Sequence, residues 1–165
     1  MSGFASLQPA LTARLTFKPP VVIGNVNRGG QQFIALINEG GSLKSEPGFS
    51  PAVDAEFVFG TDHFWVSPDQ SYATIDVKAA MKNADGATIS YMYNGIIEIN
   101  EEFGKILMGS PDAKTVDFGL VFTHTGASPL KGLENARFVG TSRFIMEEGK
   151  PQVIEMKISK IVKGQ

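Results

Sequence analysis

The 165-residue chain has no cysteine, so a disulfide frame, a thiolate metal site and a cysteine nucleophile are all excluded. Charge is sparse as well. Only 19% of residues are charged, and 15 Lys and Arg against 17 Asp and Glu leave a formal charge of −2. That balance argues against nucleic acid as the main partner, because neutralising a phosphate backbone needs a basic face. Long apolar runs are missing too: Phe33-Ile34-Ala35-Leu36-Ile37 falls far short of the ~18 residues that a spanning helix needs. Residues 1–9 lack the basic start and apolar stretch of a secretory leader. The expectation is one soluble, cytoplasmic domain over residues 1–165, with no membrane partner and with a composition compatible with a homo-oligomer.

Apolar residues make up 42% of the chain, including 12 Phe, while 18 Gly and 9 Pro punctuate them. Short apolar segments between such breaks are the spacing of an all-β chain. Leu11, Ala13, Leu15 and Phe17 alternate up to Pro19-Pro20. Extended segments follow at 21–27, 31–38 and 43–46, then Glu56–Phe59 and His63–Val66, broken at Gly60-Thr61. The clearest alternation is Ala73, Ile75, Val77, Ala79 and Met81, which the turn chemistry of Asn83-Ala84-Asp85-Gly86 joins to a partner strand over 87–97. Strands resume at 116–123, 136–146 and 152–162. One segment departs from this period: Asn100 is an N-cap candidate, Glu101 and Glu102 suit a first helical turn, and Phe103, Ile106 and Leu107 share a helical face. The pattern predicts an antiparallel β-barrel of roughly 8–10 strands with one short helix, since closure removes exposed strand edges.

A barrel has a lumen, and the candidate chemistry is placed there. If the 83–86 turn has two or four residues, Tyr72, Thr74, Asp76 and Lys78 share a face with Tyr91 and Tyr93. A carboxylate, an ammonium and phenols in a water-poor pocket make an acid–base set. A solvated face with an Asp–Lys pair is the competing reading, and a three-residue turn with a bulge reverses the parity. His63, beside Asp62 and Phe64-Trp65, is a candidate general base with the indole as a pocket wall; a loop histidine packed on an aromatic is the alternative. His124 ends the row Phe118, Leu120, Phe122 and reads as a core or rim residue before a catalyst. Asp62, Asp76 or Glu134 could join the histidines around a metal, but no H-x-H or H-E-x-x-H spacing occurs, so no metal is expected. No G-x-S-x-G, G-x-G-x-x-G or phosphate-loop motif is present, which points to cofactor-independent chemistry.

Gly40-Gly41-Ser42-Leu43, Gly60-Thr61-Asp62, the stretch from Ile75-Asp76-Val77 through Asp85-Gly86-Ala87 to Gly95, Thr125-Gly126 and Phe138-Val139-Gly140 follow one another over roughly Leu11 to Ile161. In that order they resemble domain-of-unknown-function family 3237, and the resemblance implies a small β-barrel without an assigned activity. The chain departs from the family pattern at Ser90 and Met92, where relatives carry a Tyr and an Arg, and at Glu134-Asn135, where they carry Asn-Arg. Both changes remove arginine, which implies a neutral, aromatic or polyketide-like ligand in place of an anion, with Glu134 and Asn135 among its contacts. The expected function is therefore a cofactor-free isomerase, cyclase or lyase acting on a hydrophobic oxygenated metabolite. His63 or Asp76 would move the proton, Tyr91, Tyr93 or Lys78 would steady oxyanion charge, and Trp65, Tyr72 and His124 would shape the pocket. A non-catalytic carrier of the same ligand is the alternative, and a structural module with a filled lumen is a third reading.

Overall fold

The computed structural model describes residues 3–127, 130, 132–134, 136–148 and 152–164, with 117–127 described as backbone alone. Among these residues, ten strands and one helix run in the order β1 (Ala5–Leu15), β2 (Val21–Asn25), β3 (Gln31–Leu36), β4 (Ser42–Ser45), β5 (Asp54–Val66), β6 (Tyr72–Asn83), β7 (Thr88–Glu98), α1 (Glu101–Leu107), β8 (Val116–Ala127), β9 (Phe138–Ile145) and β10 (Val153–Lys163). All the strand pairings are antiparallel. The sheet runs β2-β3-β5-β4-β1-β10-β9-β8-β7-β6, and an additional β5–β6 pairing joins its end back to β5. Eight strands thus form a ring, while β3 and β2 leave it as an arm. The branch is possible because β4 takes one edge of β5 along Asp54–Glu56 and β3 takes that same edge along Thr61–Val66. The predicted all-β barrel with a short helix is the architecture found.

Alternation sets what faces inward. Ala73, Ile75, Val77, Ala79 and Met81 of β6 are all buried, as are Ile89, Tyr91, Tyr93 and Ile97 of β7. β1 contributes Leu11, Ala13 and Leu15, and β10 contributes Met156 and Ile158, to the same core. The strand begins earlier than its sequence pattern indicates, because an irregularity between Pro9 and Leu11 interrupts the alternation of its first half. The helix forms as expected. Asn100 accepts a hydrogen bond on its side chain from the Phe103 N–H at 2.9 Å, and Phe103 and Ile106 are its buried residues. Phe103 lies 5.2 Å, ring to ring, from Phe144 of β9. Among the described residues no helix is long and apolar enough to cross a membrane.

Two local features overturn the expected faces. The β6–β7 hairpin pairs Lys82 with Thr88 and Lys78 with Met92, so partners have numbers of equal parity. Its loop is Ala84-Asp85-Gly86, with Gly86 at φ +89° and the Asn83 N–H donating to the Ala87 carbonyl at 2.8 Å. This is the three-residue turn, in which glycine takes the left-handed position. The second feature is in β5, which is one strand and not two. A bulge between Phe57 and Phe59 adds one residue, so the inward set changes from Ala55 and Phe57 to Gly60 and Asp62.

Gly60 also lets β5 and β6 approach closely. A Cβ there would lie 2.7 Å from the Ala79 Cβ and 2.8 Å from the Ile37 Cδ1. Gly60→Ala is therefore expected to destabilise the protein by about 1–3 kcal/mol through overpacking. The check is urea denaturation, where the midpoint should fall at constant slope; an unchanged midpoint would mean that the two strands can part freely.

Candidate functional site

The interior polar groups are few. Among the described residues, the buried polar or charged side chains are Asp62, Ser67, Asn83 and Ser142, apart from the two tyrosines counted with the core. Ser67 donates to Asp69 at 2.6 Å, and Asn83 is tied to the Asp54 N–H and to Asp85. Both belong to turns. That leaves Asp62 on β5, Tyr91 and Tyr93 on β7, and Ser142 on β9.

The ladders bring three of these together. Asp62 is opposite Val77, and Val77 is opposite Tyr93, so the carboxylate and the phenol flank one valine on the inner face. The Tyr91 and Tyr93 rings meet at 5.5 Å, and Phe57 meets Tyr91 edge-on at 5.5 Å. Asp62 is 7% exposed, and its Oδ1 has no hydrogen-bond partner among the described residues. Burial pushes its carboxyl up to about 7, with the nearby Asp76 charge adding to the rise and a backbone hydrogen bond at Asp76 opposing it. Tyr93 is raised well above the ordinary phenol value by burial, then by Tyr91 and by the Asp62 charge; Tyr91 is raised by burial alone. Both phenols therefore remain O–H donors at neutral pH. Together these place a buried carboxyl, raised towards neutrality, on the inner face with two protonated phenols, with Val77 between Asp62 and Tyr93 and Phe57 against Tyr91.

Most of the residues picked out by sequence lie elsewhere. Asp76 and Lys78 are on the outer face of β6, 3.3 Å apart and more than half exposed, because the odd-length turn reverses the parity they require. His63 is on the outer face of β5, since the bulge turns its neighbour Asp62 inward instead. The outer wall thus gathers the expected catalytic set in solvent, with the exception of Tyr93. Trp65 is 7% exposed yet also belongs to the outer wall, where its Nε1 donates to the Gly29 carbonyl at 2.9 Å. The Arg28 guanidinium lies 3.9 Å from the indole centroid, and the Tyr72 ring meets the indole edge-on at 5.8 Å. Trp65 pins the β2–β3 arm, with Tyr72 packed on it, and neither faces inward. Glu134 is exposed in a turn. Asn135 lies outside the described residues, and so does the His124 side chain, although its backbone pairs with Tyr93 and Phe138. Of the expected site residues whose side chains are described, only Tyr91 and Tyr93 face inward.

Asp62 was overlooked as an inward group, and a signal for it was present. Val58, Phe59 and Gly60 set two large apolar residues side by side before a glycine inside a strand, which marks a bulge and hence a change of face. An open cleft of about 760 Å³ on the outside, walled by Glu39, Asp54, Glu56 and Lys82 among others, holds none of these groups. Among the described residues no three His, Asp or Glu gather as a metal would need.

The family model described as "Protein of unknown function (DUF3237)" matches residues 5–161. A solved protein of unknown function from Rhodopseudomonas palustris is similar at 17% identity, over 96% of this chain and 99% of its own, with a TM-score of 0.78. A beta-barrel like protein from Acinetobacter baumannii AYE is similar at 17% identity, over 96% of each chain, with a TM-score of 0.71. A third, of unknown function from Clostridium acetobutylicum ATCC 824, shares 22% identity over 96% of this chain and 97% of its own, with a TM-score of 0.70. No curated protein matches. At these identities the likeness is one of fold.

Proposed function

Since the chain belongs to the DUF3237 family, which carries no assigned activity, we propose from its own interior that it is a cofactor-independent acid–base enzyme. It acts on a small, hydrophobic, oxygenated metabolite, as an isomerase, cyclase or lyase. The observation that carries this reading is Asp62: a buried carboxyl with an unpartnered oxygen, raised to about 7 by desolvation. A group that titrates near neutral pH both takes and returns protons at physiological pH.

In this mechanism the ionised Asp62 removes a proton from a carbon next to the substrate carbonyl. The carbonyl oxygen becomes an enolate oxygen, and the Tyr91 and Tyr93 hydroxyls donate to it. Because burial keeps both phenols protonated, they stabilise that charge without themselves losing a proton, an effect worth about 3–4 kcal/mol for a well-placed donor. The neutral Asp62 then returns the proton to a different atom, which completes an isomerisation or ring closure, or it assists a leaving group. His63, Asp76 and Lys78 have no part, since solvent surrounds them.

Exchange of the α-hydrogens of 2-tetralone in D₂O, followed by NMR, tests this without knowledge of the natural substrate. The rate is expected to saturate with ketone and to rise with pH to a plateau, with an inflection at about 7 where Asp62 becomes a base. Saturable binding with exchange no faster than in buffer sinks the catalytic reading and leaves a carrier.

A further inference from the structure

Ser142 is the interior polar group that the mechanism leaves unused. It stands on the inner row of β9 with Phe138, Gly140 and Phe144, all buried, and pairs with Met156, which is fully buried. The residue is 6% exposed, and its Oγ has no hydrogen-bond partner among the described residues. Opposite it, β8 carries an irregularity in which Phe118 and Gly119 both register with Ser142. A hydroxyl left unpaired in a barrel interior is destabilising, and an alanine at the same place would be free of that cost. A ligand that accepts from the hydroxyl would remove that cost.

We infer that Ser142 is a further ligand-binding residue of the barrel interior, so that one uncharged molecule is held at two oxygens: a hydroxyl that donates to the Asp62 carboxylate and a carbonyl that accepts from the Ser142 hydroxyl. This rests on the reading of the interior as a ligand site, but not on any turnover there. The two side chains rise from β5 and β9, which are separated in the ring by β6, β7 and β8 on one side and by β4, β1 and β10 on the other. Their strands therefore lie on opposite sides of the ring. The charge of the ligand follows from what surrounds it. Among the described residues no Lys, Arg or His is buried, whereas Asp62 is, so an anion would meet a carboxylate with no described cation to offset it.

A matched pair of probes tests both parts, with binding followed by calorimetry: 4-(hydroxymethyl)benzaldehyde, whose hydroxyl can donate to Asp62 and whose carbonyl can accept from Ser142, and 4-(hydroxymethyl)benzoate. The protein is expected to bind the aldehyde at least tenfold more tightly than the benzoate at pH 8. Ser142→Ala is expected to weaken aldehyde binding about 5–10-fold while raising the melting temperature of the ligand-free protein by about 2–4 °C. Benzoate bound as tightly as aldehyde overturns the uncharged ligand. A Ser142→Ala protein that melts lower and binds the aldehyde unchanged overturns the serine's role, since the hydroxyl would then be structural. Failure of the wild-type protein to bind the aldehyde overturns both. Binding as described, without exchange into 2-tetralone, would instead reject the catalytic reading and leave this inference standing.

Discussion

Asp62→Asn is expected to make the protein more stable at pH 8, by about 2–4 kcal/mol, and to make no difference at pH 3. The sign follows from the carboxyl's two environments. In the unfolded chain it ionises near 3.8, and in the folded one near about 7. Below pH 3.8 it is neutral in both states and costs nothing. As the pH rises, the unfolded chain ionises first and gains, so the folded state loses stability until the pH passes about 7, after which the difference is constant. That interval of roughly 3 pH units, at 1.36 kcal/mol each, is on the order of 4 kcal/mol. Asparagine keeps the shape and cannot ionise, so the slope disappears. Urea titrations of both proteins across pH 3–8 measure it. The same substitution is expected to slow tetralone exchange by about 10²–10⁴-fold. A variant less stable than the parent at pH 8 would show that the carboxylate is held by favourable partners and is not a strained proton carrier.

Phe103→Ala is expected to cost about 3–5 kcal/mol. Seven residues are too few for a helix to persist on propensity alone, so α1 depends on what it buries. Phe103 is 0% exposed, with its ring against Phe144, whereas Leu107 on the same helix is 43% exposed. Leu107→Ala is the control and should stay within about 0.5 kcal/mol. Guanidinium unfolding of both decides the matter: equal effects would mean that α1 lies on the barrel without sealing it.

The sequence made some of this legible for definite reasons. The run Ala73 to Met81 alternates without interruption, and Asn100 with Glu101, Glu102 and Phe103 has both cap and buried face, so β6 and α1 were readable from pattern alone. The face of the hairpin is written in the sequence too. The apolar residues of both strands, Ile75, Val77 and Ala79 with Ile89, Tyr91 and Tyr93, are all odd-numbered. They can share one core only if partner numbers have equal parity, which requires an odd-length loop. Turn composition indicated a hairpin but could not count its residues, because Asn, Asp and Gly all tolerate the left-handed position. Asp62 was harder. Its orientation depends on a bulge four residues away, and alternation rules lose their phase at a bulge. Asp76 and Lys78 drew attention because charged residues in a strong strand are conspicuous, yet on a one-sided sheet such residues mark the wet face.

The extra residue at Val58 has a consequence for reading this chain beside its homologues. Deleting it would straighten β5 and leave Asp62 directed inward, because the bulge alone absorbs the added position. A homologue with a regular strand would then carry its lumen carboxylate one place nearer the strand's beginning. At identities of 17–22%, where an alignment sets its gap becomes decisive. A gap opposite Val58 equates carboxylate with carboxylate, whereas one placed beyond Asp62 equates it with a solvent-facing neighbour and makes a shared chemistry look like divergence.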